Sequence, residues 1–317
     1  MTKLNNTVRN PYCLDMITTT FDINPDQQER IANRITVLFR DIKKRTKYLG
    51  TQGKITPNNM KRLKTLYYQN HLIVLGTGFS TFTLKLSLQP KSDLVSYLRL
   101  EFNPNKAGRI GCQLLRRLLM FLLGRSTAAT FPNKCRVTRI DLCFDINLNV
   151  GNLFPYYPKT RVSQIMRDED GMITSFIIGS GAHSPNAVRT TIYDKELEQI
   201  NKNGCSLYNH ALFRLEFSVR NTNLSISDLT PSFFLKMIKK LKFYSDDFLE
   251  DDYFSNNFLS VADEEGLSAA FSYASENDTK CYKRRLDTLY EEPSPFNFKQ
   301  LIKRDFRKVL KELFVKS

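Results

Sequence analysis

The sequence predicts an α+β fold: a central antiparallel sheet with helices packed on one face, followed by a C-terminal helical segment. Three observations predict it. Residues 98–102, 139–145, 191–195 and 214–217 alternate apolar with charged or hydroxyl side chains, the period-2 pattern of strands with one wet face. Segments with apolar residues at helical spacing lie between these stretches. Turn residues divide other apolar runs into pairs.

Taken in order, residues 16–23 are Thr-rich and alternating, and Asn24-Pro25-Asp26 then caps a helix over 27–47, where Ile31, Ile35, Leu38, Phe39 and Ile42 recur on one face. Residues 50–62 hold Gly, Pro and Asn among basic residues and read as a loop. Two apolar runs within 71–88 flank Gly76-Thr77-Gly78 and predict a hairpin. A strand at 98–102 precedes a Leu-rich helix over 113–123, and a strand follows over 136–147. Beyond a Gly/Pro/Tyr-rich connection at 149–160, residues 172–178 and 187–193 read as paired strands. A short helix from Glu196 is stopped at Asn203-Gly204, and a strand covers 212–219. The order helix, hairpin, helix, strand recurs in outline, as in two related α+β units sharing one sheet. Past Asn221 the character changes: a basic amphipathic helix over 232–244, eight acids and no bases over 246–265, and a cationic helix over 298–314 behind Pro293 and Pro295.

Composition narrows the function classes. The 317 residues are 41% hydrophobic, enough for a packed core, and carry 47 Lys and Arg against 32 Asp and Glu, a formal charge of +15 with a pI of about 9.5. Such an excess favours a polyanionic partner, nucleic acid first. It is unevenly spread, since residues 221–280 hold 11 acidic and 5 basic residues. The six cysteines show no CxxC pair and no adjacent Cys/His ligand spacing, which disfavours a zinc site. His71, His183 and His210 are isolated, and no His-apolar-His triplet exists. Neither a signal-peptide pattern nor an uninterrupted apolar span is present, so the expectation is a cytoplasmic protein with no membrane association.

Strand alternation then assembles a candidate site. Ile140, Leu142 and Phe144 point to one face while Arg139, Asp141 and Asp145 share the other. The same count sets Glu101 beside Arg99, Glu216 beside Arg214, and Tyr193 between Thr191 and Lys195. Carboxylate oxygens suit hard divalent cations, so Asp141, Glu216 and Glu101, with Asp145 in reserve, are the expected ligands of Mg²⁺ or Mn²⁺. Tyr193 is the candidate nucleophile. Lys195 is placed to lower its pKa or to neutralise phosphate charge. The plainer reading is that these acids pair with neighbouring arginines, Arg139 with Glu216 or Arg214 with Asp141.

Residues 137–145, Val-Thr-Arg-Ile-Asp-Leu-Cys-Phe-Asp, resemble the "RIDL..D" strand of the replication-initiation factor family, rolling-circle initiators of small plasmids and phages. Ile178-Gly179-Ser180 with Thr191-Ile192-Tyr193-Asp194-Lys195-Glu196-Leu197-Glu198 is similar to that family's "GSR.S...IY.K..E" segment, and Phe213-Arg214-Leu215-Glu216 resembles its "R.E" strand. Arg99-Leu100-Glu101-Phe102-Asn103-Pro104-Asn105-Lys106 is similar to an upstream strand of phage-type members. The likeness spans residues 97–220, in the family's order. One departure is that Gly181-Ala182-His183-Ser184 follows Ser180 where the family has an arginine.

The resemblance implies a metal-dependent, origin-specific DNA endonuclease and strand transferase that begins rolling-circle replication. Tyr193 takes the nicking role, and the product is a phosphotyrosine at a 5′ end with a free 3′ hydroxyl. Residues 1–221 are then the catalytic nicking domain, and residues 222–317 a mainly helical region for DNA contact or oligomerisation. The implied partners are single-stranded or cruciform origin DNA and the host replication helicase and polymerase, with a homodimer as one assembly. Two other classes fit the same residues: a non-catalytic DNA-binding replication or copy-control regulator, and a tyrosine-dependent recombinase or transposase.

Overall fold

The computed structural model describes residues 14–78, 80–91, 96–146, 152–158, 160–179, 187–205 and 212–292. Within them the chain forms two compact units, one of residues 14–141 and 220–230, the other of residues 142–219 and 231–292. The chain crosses between them after 141, 219 and 230. The boundary expected near residue 221 lies beside one of these three crossings.

The first unit opens with β1 (Leu14–Asp22), α1 (Pro25–Arg40) and α2 (Ile42–Leu49). Asn24 caps α1 in a reciprocal capping box with Gln27, with Pro25 in the first turn. The single helix expected over 27–47 is broken at Asp41. Its backbone N–H bonds the Val37 carbonyl, and its side chain accepts from the Lys44 N–H at 3.0 Å to start α2. An aspartate offers the backbone this alternative to helix continuation. The chain continues through β2 (Lys54–Pro57), α3 (Lys61–Leu66), β3 (Tyr67–Thr77), β4 (Ser80–Pro90) and β5 (Tyr97–Phe102). Then come α4 (Pro104–Leu123), α5 (Arg125–Lys134) and the opening of β6 (Arg136–Ile146).

The strands order as β2-β3-β4-β5-β1-β6, and the registers of β2 on β3, β3 on β4, β4 on β5 and β5 on β1 are antiparallel. The expected hairpin forms, with Thr77 opposite Ser80. The helices gather on the apolar face: Leu84, Leu86, Leu100 and Ile17 are buried together with Ile31, Ile35 and Leu38 of α1 and Leu115, Leu118 and Leu122 of α4. The opposite face of the same strands carries Lys85, Ser87, Arg99 and Glu101. Helix α4 starts nine residues before the Leu-rich run because Gly108, at φ 55°, joins two helical pieces across a kink.

The second unit holds the rest of β6, then β7 (Leu153–Tyr156), β8 (Ser163–Arg167), β9 (Ile173–Ile178) and β10 (Ala187–Asp194). They are followed by α6 (Lys195–Asn203), β11 (Phe213–Ser225), α7 (Pro231–Ile238) and β12 (Lys242–Ser245). Last come α8 (Asn256–Glu265), α9 (Leu267–Tyr273), α10 (Glu276–Leu289) and β13 (Glu291–Glu292). One sheet runs β11-β10-β9-β8, and a second runs β13-β12-β7. Helix α6 ends at Gly204 in the left-handed region, as its sequence signal predicts.

The helix expected over 232–244 stops at Ile238, and residues 242–245 become a strand paired with β7 and β13. Phe243 and Tyr244 are both 1% exposed there, so pairing and burial outweigh helical periodicity. The unit's core is aromatic: Phe154 meets Phe176 at 5.8 Å and Phe248 at 5.4 Å, while Phe258 lies 4.8 Å from Tyr282. Offset and edge-on ring contacts of this kind add to the burial of area. Among the described residues no helix is long and apolar enough to cross a membrane. The expected cationic helix over 298–314 lies outside the described residues.

Phe248 is fully buried between Phe154 and Phe254. Phe248→Ala is expected to destabilise the protein by about 3–5 kcal/mol, and urea unfolding followed by circular dichroism measures it.

Candidate active site

Strand β10 hands its polar face to a small cluster in the second unit. Ile192 is buried on the core side, and Tyr193, half-buried on the other, donates from its hydroxyl to Glu216 Oε1 of β11 at 2.8 Å. Arg214, two residues before Glu216, reaches Asp145 of β6 with Nε at 2.5 Å and Nη2 at 2.7 Å. Its Nη1 stands 4.0 Å from Glu216. The Arg214 and Asp145 side chains are 9% and 7% exposed, and Glu216 is the open member at 29%. A bidentate guanidinium–carboxylate pair fixes Arg214 in one geometry, so the β11 strand presents Glu216 to the phenol from a rigid base.

Burial pushes the Tyr193 hydroxyl far above the ordinary phenol range, and the adjacent Glu216 charge pushes it the same way. This corrects the expectation that Lys195 lowers it. The strand ends at Asp194, whose side chain accepts from the Leu197 N–H at 2.9 Å and starts α6. Lys195 is therefore the first helical residue, and the same-face count of a continuous strand no longer applies to it. Its ammonium pairs with Glu198, one helical turn on, and sits 5.5 Å from the centroid of the Tyr193 ring. It stands over the face of the phenol ring.

The other two predicted ligands belong to the first unit. Glu101 accepts from Lys85 Nζ at 2.7 Å, from Arg99 Nη2, and from Thr18 Oγ1 at 3.4 Å. Burial alone would raise its pKa, but Lys85 and Arg99 together hold it below the usual carboxylate value. Asp141 is gripped by Arg139 on its own strand, Nε at 2.9 Å and Nη2 closer still. Pairing with arginine was foreseeable, and within each unit the pairs are Arg139 with Asp141 and Arg214 with Asp145.

Magnesium or manganese needs several carboxylate oxygens turned to one point. Here three of the four carboxylates lie against cationic side chains, and the fourth accepts from a phenol. Among the described residues no group of three or more His, Cys, Asp and Glu is placed to hold a metal ion. Each of the four carboxylates is thus engaged within its own unit. Sequence reasoning gave no role to Lys85 or Glu198; the signal for Lys85 was its place on a strand facing Glu101. Ser180 to Ser184, including His183, and His210 lie outside the described residues.

No protein-family model and no curated protein matches the chain. Two solved structures align over nearly its full length. The di-domain ARO/CYC StfQ from the steffimycin biosynthetic pathway is 8% identical over 95% of this chain and 97% of that one, with a TM-score of 0.18. The di-domain ARO/CYC BexL from the BE-7585A biosynthetic pathway is 7% identical over 96% and 99%, with a TM-score of 0.17. Similarity at that level carries no argument about the fold or the chemistry of this site.

A carboxylate whose pKa is depressed on folding adds stability above its unfolded pKa, and that stability is lost as pH falls. Glu101 is such a group. Glu101→Gln is expected to be less stable at pH 7 and to lose less Tm than the parent between pH 6 and pH 3. Parallel Tm–pH curves for the two proteins would remove this role from Glu101.

Proposed function

We propose that the chain is a tyrosine-dependent DNA nicking and joining protein that starts rolling-circle replication, with Tyr193 as nucleophile and Glu216 as general base. The observation that carries the reading is the 2.8 Å hydrogen bond from the Tyr193 hydroxyl to Glu216. A phenol held neutral by burial is a poor nucleophile until a base removes its proton, and Glu216 is within direct reach. In the proposed step the Tyr193 oxygen bonds to the scissile phosphorus while its proton passes to Glu216. The P–O3′ bond breaks, and the 3′ oxygen leaves as a hydroxyl after taking a proton from solvent. The 5′ phosphate stays on the tyrosine, and attack by a 3′ hydroxyl reverses the step without ATP. The order of the "RIDL..D", "IY.K..E" and "R.E" segments along β6, β10 with α6, and β11 supports the same reading.

A second reading is favoured by the ion pairing of Glu101 and Asp141 in the first unit and of Asp145 in the second, which offsets carboxylate charge that would otherwise repel phosphate. On it the chain is a non-catalytic DNA-binding regulator of replication. The two differ in their product. Incubation with labelled single-stranded origin DNA, with and without Mn²⁺, yields a protein–DNA adduct only on the first.

Tyr193→Phe is expected to abolish the adduct and to keep DNA affinity, and Glu216→Gln to slow adduct formation about 10²-fold or more. An adduct formed as well by Tyr193→Phe overturns the assignment. Peptide mapping of the adduct identifies the residue that carries the nucleotide.

A further inference from the structure

We infer that the edge of the first unit built from α2, β2 and α3 is a docking surface for single-stranded DNA, lying in a different unit from Tyr193. Residues 40–66 hold nine Lys and Arg and one acid, Asp41. These 27 residues therefore supply about half of the chain's net charge. The fold concentrates them further, because α2 and α3 both pack on β3 while β2 pairs with it. Lys43, Lys44 and Lys47 of α2, Lys54 of β2, and Lys61 and Lys64 of α3 are all exposed. Asp41 stands 3.6 Å from Lys44 and is already engaged in capping α2.

Such a surface repels itself in the absence of a polyanion. On α2, Lys43 and Lys47 are one helical turn apart, about 6 Å along the axis, a spacing that lets neighbouring phosphates of one strand be met by successive lysines. An exposed aromatic ring adjoins the cations. Tyr68, at the start of β3 directly after α3, is 72% exposed, with Lys91 Nζ 5.2 Å from its ring centroid. A basic edge with an open aromatic ring is what single strands use, the cations following the backbone and the ring stacking on a base.

The inference rests on the proposed function only for the identity of the polyanion, and its test does not need the nicking step. Fluorescence anisotropy of a labelled single-stranded oligonucleotide is measured across a salt series on the full chain. The triple variant Lys43→Glu, Lys44→Glu, Lys47→Glu is expected to bind at least 10-fold more weakly, and the slope of log affinity on log salt to fall by about 2. Tyr68→Ala is expected to lose about 5- to 150-fold in affinity with the salt slope unchanged. All four side chains are exposed, so circular dichroism and Tm serve as folding controls. Unchanged affinity in the folded triple variant overturns the surface, as does binding to phosphatidylserine vesicles without binding to the oligonucleotide. If that variant still binds as the parent does while Tyr193 forms its adduct, the surface fails and the nicking reading stands. If affinity falls as expected but no adduct ever forms on the parent protein, the surface stands and the nicking reading fails.

Discussion

A carboxylate buried on a pleated sheet must find a cation, and the two-residue period of a strand supplies one. Arg99 lies two residues before Glu101, and Arg139 two before Asp141, and each pair closes on its own strand. Charges taken out of water are tolerated only with matched partners and further hydrogen bonds, so this pairing decides how the polar face is wired. Arg214 departs from the pattern. It stands two residues before Glu216 but turns its fork to Asp145 and leaves Glu216 at 4.0 Å. The consequence is local and chemical: Glu216 is the carboxylate of the set that accepts a phenol.

That exchange also sets the kind of activation the tyrosine could receive. A lysine beside the hydroxyl would favour the phenolate at rest, whereas burial and a neighbouring carboxylate favour the neutral phenol. The second arrangement suits a reaction in which the proton leaves only as the new bond forms. Lys195, paired with Glu198 and lying over the ring, ties Tyr193 to the first turn of α6.

Elements with strict alternation or strong caps were legible in the sequence: β1, the β3–β4 hairpin, β5, β6, β10 and the Gly204 stop of α6. Two of the misses share a cause, since each is decided by contacts remote in sequence. Lys54–Pro57 is a strand only because β3 lies beside it, and Lys242–Ser245 left its helical pattern to pair with β7 and bury two aromatic rings. The break at Asp41 was written in the chain but hidden by apolar spacing that runs across it, Leu38 and Phe39 before and Ile42 after. In the site, alternation correctly put Tyr193 and Glu216 on one face. It failed at Lys195 because a period of two holds only while the strand lasts.

The two units invite a closer comparison than their sequences first suggest. Residues 99–102 and 214–217 read Arg-Leu-Glu-Phe alike, each on a strand whose neighbour presents one side chain to the glutamate. In the second unit that side chain is Tyr193, at 2.8 Å; in the first it is Lys85, also at hydrogen-bond distance, 2.7 Å. One position thus carries a phenol hydroxyl, the other an amine at the end of a flexible stem, and each reaches the glutamate of the neighbouring strand. The same strand frame therefore offers the glutamate a hydroxyl in one unit and a cation in the other, and the difference comes down to which side chain faces it.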